Sequence, residues 1–157
     1  MGKHARILVA DDDESIRKIL AVILEDRGYT VDTAKNGKQA IELSKNNFYN
    51  LALIDIRLPD IEGTRLLSSL RETVPRMRKV IITGFPSMQN AVEALNKGAD
   101  AYVTKPFEME KILKTIKDQL KKQQEEKKFS QDKVTEFIQT RVKELEETKP
   151  VTHREPK

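Results

Sequence analysis

The chain has no cysteine, so disulfides and thiolate metal sites are excluded, which fits a reducing compartment. It also lacks any apolar run approaching the roughly 18 residues that a membrane-spanning helix requires. The opening Met1-Gly2-Lys3-His4-Ala5-Arg6 has neither the apolar region of a signal peptide nor the Ser or Thr that a myristoylation signal places at position 6. A cytoplasmic protein without a membrane partner is therefore expected. Aromatic residues make up only 5% of the chain, and 25 acids are interspersed among 29 bases for a net charge of +4. A mixed, solvated surface accounts for that balance better than a nucleic-acid stripe, which would cluster its charge and add aromatic residues, so no nucleic-acid partner is expected. What the chain does have is 157 residues at 38% hydrophobic content, enough for one core and an appendage.

Leu51-Ala52-Leu53-Ile54 runs straight into Asp55, with Pro59 and Gly63 close behind. So short an apolar run, bounded by turn residues, fits a strand buried on both faces, while periodicity alone leaves a piece of buried helix open. Ile7-Leu8-Val9-Ala10 is a second such run, ending in Asp11-Asp12-Asp13-Glu14. Lys79 to Thr83 and Ala101 to Thr104 are two more, stopped by Gly84 and by Lys105-Pro106, and Tyr29 to Ala34 alternates weakly like an edge strand. Between them lie helical spacings: Ile16, Ile19, Leu20, Ile23 and Leu24 before Gly28; Ala40, Ile41 and Leu43 after Asn36-Gly37; and Leu66, Leu67 and Leu70 before Pro75. Met88, Ala91, Val92 and Leu95 follow Ser87 as cap, and Met109, Ile112, Leu113, Ile116 and Leu120 complete the set.

Five strands alternating with five helices predict an α/β fold: a doubly wound parallel sheet with right-handed crossovers and helices on both faces. The carboxyl ends of parallel strands share one edge, where ligands bind in open sheets. That edge would gather Asp11 and Asp12, Asp55, Thr83 and Lys105. Each has a plain structural explanation when taken alone. Asp55 can open a turn, Thr83 is a β-branched strand residue, and Tyr102 is an amphipathic core residue with its hydroxyl at the rim. Their joint placement is what those explanations leave to coincidence. Asp13 and Glu14 suit a helix N-terminus, and His4 and His153 near the termini are expected to do nothing catalytic.

Three carboxylates at one edge repel, each pair by roughly 4 kcal/mol at about 4 Å and an effective dielectric of about 20. Lys105 offsets only one charge. A hard divalent cation would offset two more, and an all-oxygen donor set suits Mg2+ or Mn2+, with Ca2+ less suited to so small a site. Lys105 as a point charge and the Thr83 hydroxyl as a donor then suit a phosphoryl group, with Asp55 as a nucleophile.

Through Ile7-Leu8-Val9-Ala10-Asp11-Asp12, Leu53-Ile54-Asp55-Ile56-Arg57-Leu58-Pro59, Ile82-Thr83-Gly84 and Tyr102-Val103-Thr104-Lys105-Pro106-Phe107, residues 5 to 120 resemble the receiver domain of two-component response regulators. The resemblance implies a flavodoxin-like sheet of strand order 2-1-3-4-5. It implies that Asp55 is the phosphoacceptor for a histidine kinase. Asp12, Asp55 and the backbone carbonyl of Arg57 would ligate Mg2+ directly, and Asp11 would act through a bound water. Thr83 and Lys105 would hold the phosphoryl oxygens, Tyr102 would turn inward as the output switch, and the Lys105-Pro106 bond would be cis. Gly84 should leave the phosphoryl group accessible, while Arg57 and Phe85 bear on its lifetime. The stretch from Thr83 to Phe107 is most similar to nitrogen-regulation receivers, which normally precede an ATPase output domain that this chain does not show.

The expected organisation is a receiver domain over residues 1–120, a helical extension or linker over 121–149 and a disordered end over 150–157. Lys121 to Lys128 is low-complexity and helix-forming without a buried face, and Ser130 reads as the cap of a new helix carrying Val134, Ile138, Val142 and Leu145, ended by Thr148-Lys149-Pro150. That tail is a solvated connector cut from a longer protein, or a docking or dimerising helix. The output partner is an unnamed downstream protein or a second copy meeting residues 87–120 or the C-terminal helix. Two other readings remain: a constitutive assembly module with a vestigial site, and a magnesium-dependent phosphatase, for which the short loops build no substrate pocket. The tail is too short for a helix-turn-helix domain.

Overall fold

The structure, a computed structural model, describes residues 5–84 and 86–152. The short apolar runs form strands β1 (Arg6–Ala10), β2 (Thr30–Ala34), β3 (Leu51–Asp55), β4 (Arg78–Thr83) and β5 (Ala101–Thr104). All adjacent pairs are parallel, in the order β2-β1-β3-β4-β5, so the expected topology is present. Between them run α1 (Glu14–Asp26), α2 (Gly37–Asn46), α3 (Gly63–Ser69) and α4 (Met88–Asn96), and α5 (Met109–Thr152) follows the last strand.

Strand periodicity sorts the core into two layers. Leu8, Ala10, Ala52, Ile54 and Ile81 point to one face, where they pack with Ala40 of α2, Leu66 and Leu67 of α3 and Ala94 of α4. Ile7, Val9, Leu51, Leu53, Val80, Ile82 and Val103 point to the other, against Leu20 and Leu24 of α1 and Ile112, Ile116 and Leu120 of α5. Every residue of β3 and β4 is buried, which is why these strands read as unbroken apolar runs. The edge strand β2 is only half-buried and correspondingly weak in sequence.

Local chemistry sets the helix ends. Asp13 caps α1 by accepting the N–H groups of Ser15 and Ile16, Asn36 caps α2 through Gln39 N–H, and Ser87 caps α4 through Asn90 N–H. Gly28 and Gly98 end α1 and α4 with φ of 94° and 106°, the left-handed region that favours glycine.

The C-terminal segment departs from expectation in two ways. No new helix starts at Ser130, because α5 continues unbroken through it. The Lys, Gln and Glu residues of 121–128 are strong helix formers and offer no competing backbone partner, so nothing interrupts the ladder. Nor does Pro150 end the helix, which reaches Thr152; proline disfavours a helical residue before it but does not forbid a last turn. The chain divides into two units, residues 1–123 and 124–157, so the first closes at Gln123. Gln123 is buried although its run looks uniformly solvated: its amide donates to the carbonyls of Asn50 (2.9 Å) and Arg76 (2.7 Å) and accepts from Asn50 Nδ2 (3.2 Å). The roles suggested for His4, Phe85 and His153, and most of the expected disordered end, lie outside the described residues.

Candidate functional site

Parallel pairing brings the ends of β1, β3, β4 and β5 to one edge. Asp11 follows β1 directly and extends its ladder, donating N–H to Ala34 O at 3.1 Å. Asp55 is the last residue of β3, in register with Ile82, and Thr83 ends β4 opposite Thr104. Lys105 follows β5 and donates its N–H to Thr83 O at 2.6 Å; the Lys105-Pro106 bond after it is cis, as expected.

The side chains meet there. Carboxylate oxygens of Asp11, Asp12 and Asp55 lie within 4.8 Å of one another. Asp11 and Asp55 are buried and Asp12 is exposed, so the cluster opens to solvent on one side. Lys105 Nζ bridges the two buried members, 3.0 Å from Asp11 Oδ2 and 3.3 Å from Asp55 Oδ2. Their other oxygens are fixed by backbone: Asp11 Oδ1 accepts Asp13 N–H at 2.9 Å, and Asp55 Oδ1 accepts Arg57 N–H at 3.1 Å. Arg17 donates to the Asp11 carbonyl at 2.7 Å.

Burial is the main force raising the Asp55 carboxyl above the ordinary carboxylate range; the Arg57 N–H works against it, the Asp11 charge adds to it, and Lys105 opposes it. Burial would by itself lower Lys105, but the hydrogen bond and charge of Asp11, followed by those of Asp55, outweigh it and hold the ammonium above its usual value. One ammonium among three carboxylates leaves the pocket short of positive charge. An all-oxygen donor set of that kind fits Mg2+ or Mn2+, with Asp11, Asp12 and Asp55 as the residues that could hold the ion.

Thr83 is fully buried beside Lys105. Tyr102 packs partly buried against the layer of α2, α3 and α4, and its hydroxyl is buried without a hydrogen-bond partner among the described residues rather than sitting at the rim. Gly63 permits the close return of the chain behind the site, since a Cβ there would lie 2.5 Å from the Asp55 carbonyl oxygen. Gly84 is different: a methyl there would make only ordinary contact with Lys105.

Sequence reasoning found the strand-end residues and missed what braces them. Asp60 accepts the N–H groups of Gly37 and Lys38 at 2.8 and 2.9 Å, tying the loop after Asp55 to α2. At the opposite sheet edge, Asp100 gathers Arg76, Arg78 and the Lys79 N–H. Neither contact has a local signature.

Residues 7–117 match the family described as "Response regulator receiver domain". The chain is 37% identical over 119 residues to the transcriptional regulatory protein ZraR of Klebsiella oxytoca, covering 76% of this chain and 27% of ZraR. It is 35% identical over 119 residues to the uncharacterized transcriptional regulatory protein YkoG of Bacillus subtilis, covering 76% and 52%. Among solved structures, a CheY-like receiver domain protein from Methanospirillum hungatei JF-1 superposes with TM-score 0.75 at 43% identity, over 78% of this chain and 98% of that one. The beryllofluoride-activated NtrC4 receiver domain dimer superposes with TM-score 0.70 at 38% identity, over 75% and 98%. The chain spans about half or less of the length of these curated relatives.

Proposed function

The chain belongs to the response regulator receiver family, and from that premise we propose that it is a switch that accepts a phosphoryl group on Asp55 from a histidine kinase. The observation that carries this reading is the Lys105 bridge between Asp11 and Asp55 inside a three-carboxylate cluster. Such a cluster is a poor choice for stability alone, so its retention argues for chemistry.

An oxygen of Asp55 attacks phosphorus, the bond from phosphorus to the donor imidazole nitrogen breaks, and its electron pair returns to the imidazole, which takes up a proton. Lys105 stabilises the charge on the transferred group, and the Thr83 hydroxyl donates to one of its oxygens. Asp12, Asp55 and the Arg57 carbonyl would hold Mg2+, with Asp11 acting through water, and the ion would supply the remaining positive charge. The transfer modifies the protein itself, which makes it a signalling device and not a turnover enzyme.

Output runs through the Tyr102 face and the C-terminal helix. A buried tyrosine hydroxyl without a partner costs about 1–3 kcal/mol, so a second position that satisfies it lies within reach of a modest perturbation. Beside it α4 exposes Met88, Val92 and Leu95, an apolar surface for a downstream protein or a second copy of the chain. The small share of the relatives that this chain spans favours one further reading, that the switch works as the receiver portion of a larger signalling protein.

Acetyl phosphate or beryllofluoride with Mg2+ should shift the amide spectrum of the wild type and leave Asp55→Ala unchanged. A silent wild type would overturn the proposal. Light scattering with and without beryllofluoride separates a second copy from a different partner.

A further inference from the structure

The loop between Asp55 and Gly63 contains no helix or regular strand, yet it is fastened from two sides. Internally, Gly63 N–H donates to Ile56 O at 2.8 Å, and Arg57 and Glu62 form an isolated antiparallel bridge. Ile56 and Leu58 anchor it in the core. Externally, the fastening is Asp60. Its Oδ1 accepts Gly37 N–H at 2.8 Å and its Oδ2 accepts Lys38 N–H at 2.9 Å.

Those two donors belong to the first turn of α2, where N–H groups have no partner within the helix. The side chain of the cap residue Asn36 takes the N–H of Gln39 and its carbonyl that of Ala40, so Asp60 supplies what the local sequence does not. The two N–H groups hold its carboxyl below the ordinary range although the side chain is exposed. Contact is also tight on the apolar side: a Cβ on Gly37 would overlap Ile61 Cγ2 and lie 3.2 Å from Asp60 Oδ1. Loop and helix therefore fit at one spacing.

Arg57 lies on this loop, and its N–H donates to Asp55 Oδ1. A shift of the loop moves the Arg57 carbonyl and the hydrogen bond that orients the acceptor carboxylate together. Magnesium demands near-octahedral geometry at about 2.0–2.1 Å, so a loop displaced by a fraction of an ångström loses the carbonyl as a ligand. We propose that Asp60 is a positioning residue for the carboxylate site: by clasping the first turn of α2 it fixes the Arg57 carbonyl and so sets the affinity for the divalent cation. This rests on the reading that Asp12, Asp55 and the Arg57 carbonyl hold that ion. Linkage makes the effect reciprocal, so cation binding tightens the clasp at Gly37 and Lys38.

The experiment is calorimetric titration of the full chain with Mg2+ alone, at a temperature where circular dichroism shows every variant folded. Asp60→Ala should weaken binding by about tenfold, the lower end of what losing a supporting partner costs a metal site. Asp60→Asn keeps one acceptor oxygen and should fall between, which also carries the test if the alanine variant does not fold. Gly37→Ala acts from the opposite side, on a residue with no ligating group, and should weaken binding as well. Amide exchange at Gly37 and Lys38 should slow in the wild type on adding Mg2+. Variants with a lowered melting temperature and an unchanged dissociation constant would overturn the proposal, leaving Asp60 a helix cap and nothing more. A wild type that binds no Mg2+ would instead overturn the reading of the site on which the proposal stands.

Discussion

Lys105 Nζ sits 3.3 Å from Asp55 Oδ2, a contact across fifty residues of sequence that the parallel sheet makes short. It does not cancel the cost of burying Asp55. Burial, with the Asp11 charge, raises the Asp55 carboxyl above its unfolded value against the pull of the Arg57 N–H and Lys105.

A raised carboxyl means that ionised Asp55 opposes folding. Its cost is absent below the unfolded value of 3.8 and grows to its full size as pH rises through the folded value. Asp55→Asn should therefore raise the melting temperature of the metal-free protein at neutral pH. A gain of about 2–4 °C is expected, the scale on which 1 kcal/mol acts in a chain of this size. The gain should shrink as pH falls toward 3.8. Mg2+ should stabilise the wild type and not the variant, since only the wild type retains the full carboxylate set. Thermal melts across pH, with and without Mg2+, check both parts.

Asp100 titrates in the opposite sense. Burial would raise it, but the hydrogen bonds from Arg76 and Lys79 N–H and the charges of Arg76 and Arg78 outweigh burial and lower it. Its contribution to stability is present above the unfolded value of 3.8 and is lost as pH falls through the depressed folded value. Asp100→Ala removes the carboxylate beside Arg78, whose side chain is only 8% exposed, and should cost about 3 kcal/mol at neutral pH. Urea denaturation at neutral and acid pH should show the gap between wild type and variant closing in acid. A gap that stays constant would mean that the aspartate acts by packing alone.

Gln123 closes the sheet edge opposite the site. Gln123→Ala takes one of its two donors from the carbonyl of Asn50, which keeps the Arg78 N–H, and the Gln123 donor from the carbonyl of Arg76, which should cost about 1–3 kcal/mol. Gln124→Ala, one position along on an exposed face, should be silent. Equal effects from the two would contradict the anchoring contact.

What could be read from the sequence follows from these same residues. The strands were legible because β3 and β4 are buried on both faces and leave unbroken apolar runs, and the acidic and basic residues at their ends marked the edge they share. Asp60, Asp100 and Gln123 were not legible. Each reaches backbone or side chains 21 to 73 residues away, and such contacts leave no spacing to detect. Gln123 in particular sits in a run of Lys, Gln and Glu where nothing distinguishes it from its neighbours. Ser130 misled in the other direction: it carries the chemistry of a cap, but a cap is used only where a helix begins, and the helix formers before it leave no break.

Those contacts also say where the folded unit can end. Leu120 is the last α5 residue in the core layer beside α1, and Gln119 and Gln123 donate to the carbonyls of Asp100, Asn50 and Arg76. Ending the chain after Gln123 should therefore keep cooperative unfolding and the stabilisation by Mg2+, because among the described residues no core or site residue is removed. Ending it after Asp118 removes Gln119, Leu120 and Gln123 together. Loss of the buried leucine alone should cost about 2–5 kcal/mol, and the lost glutamine hydrogen bonds add to it. Melting curves of the two truncations should differ accordingly, the shorter one melting lower or without cooperativity. If both melted alike, α5 beyond Asp118 would be dispensable, and the closing role of Gln123 would fall with it.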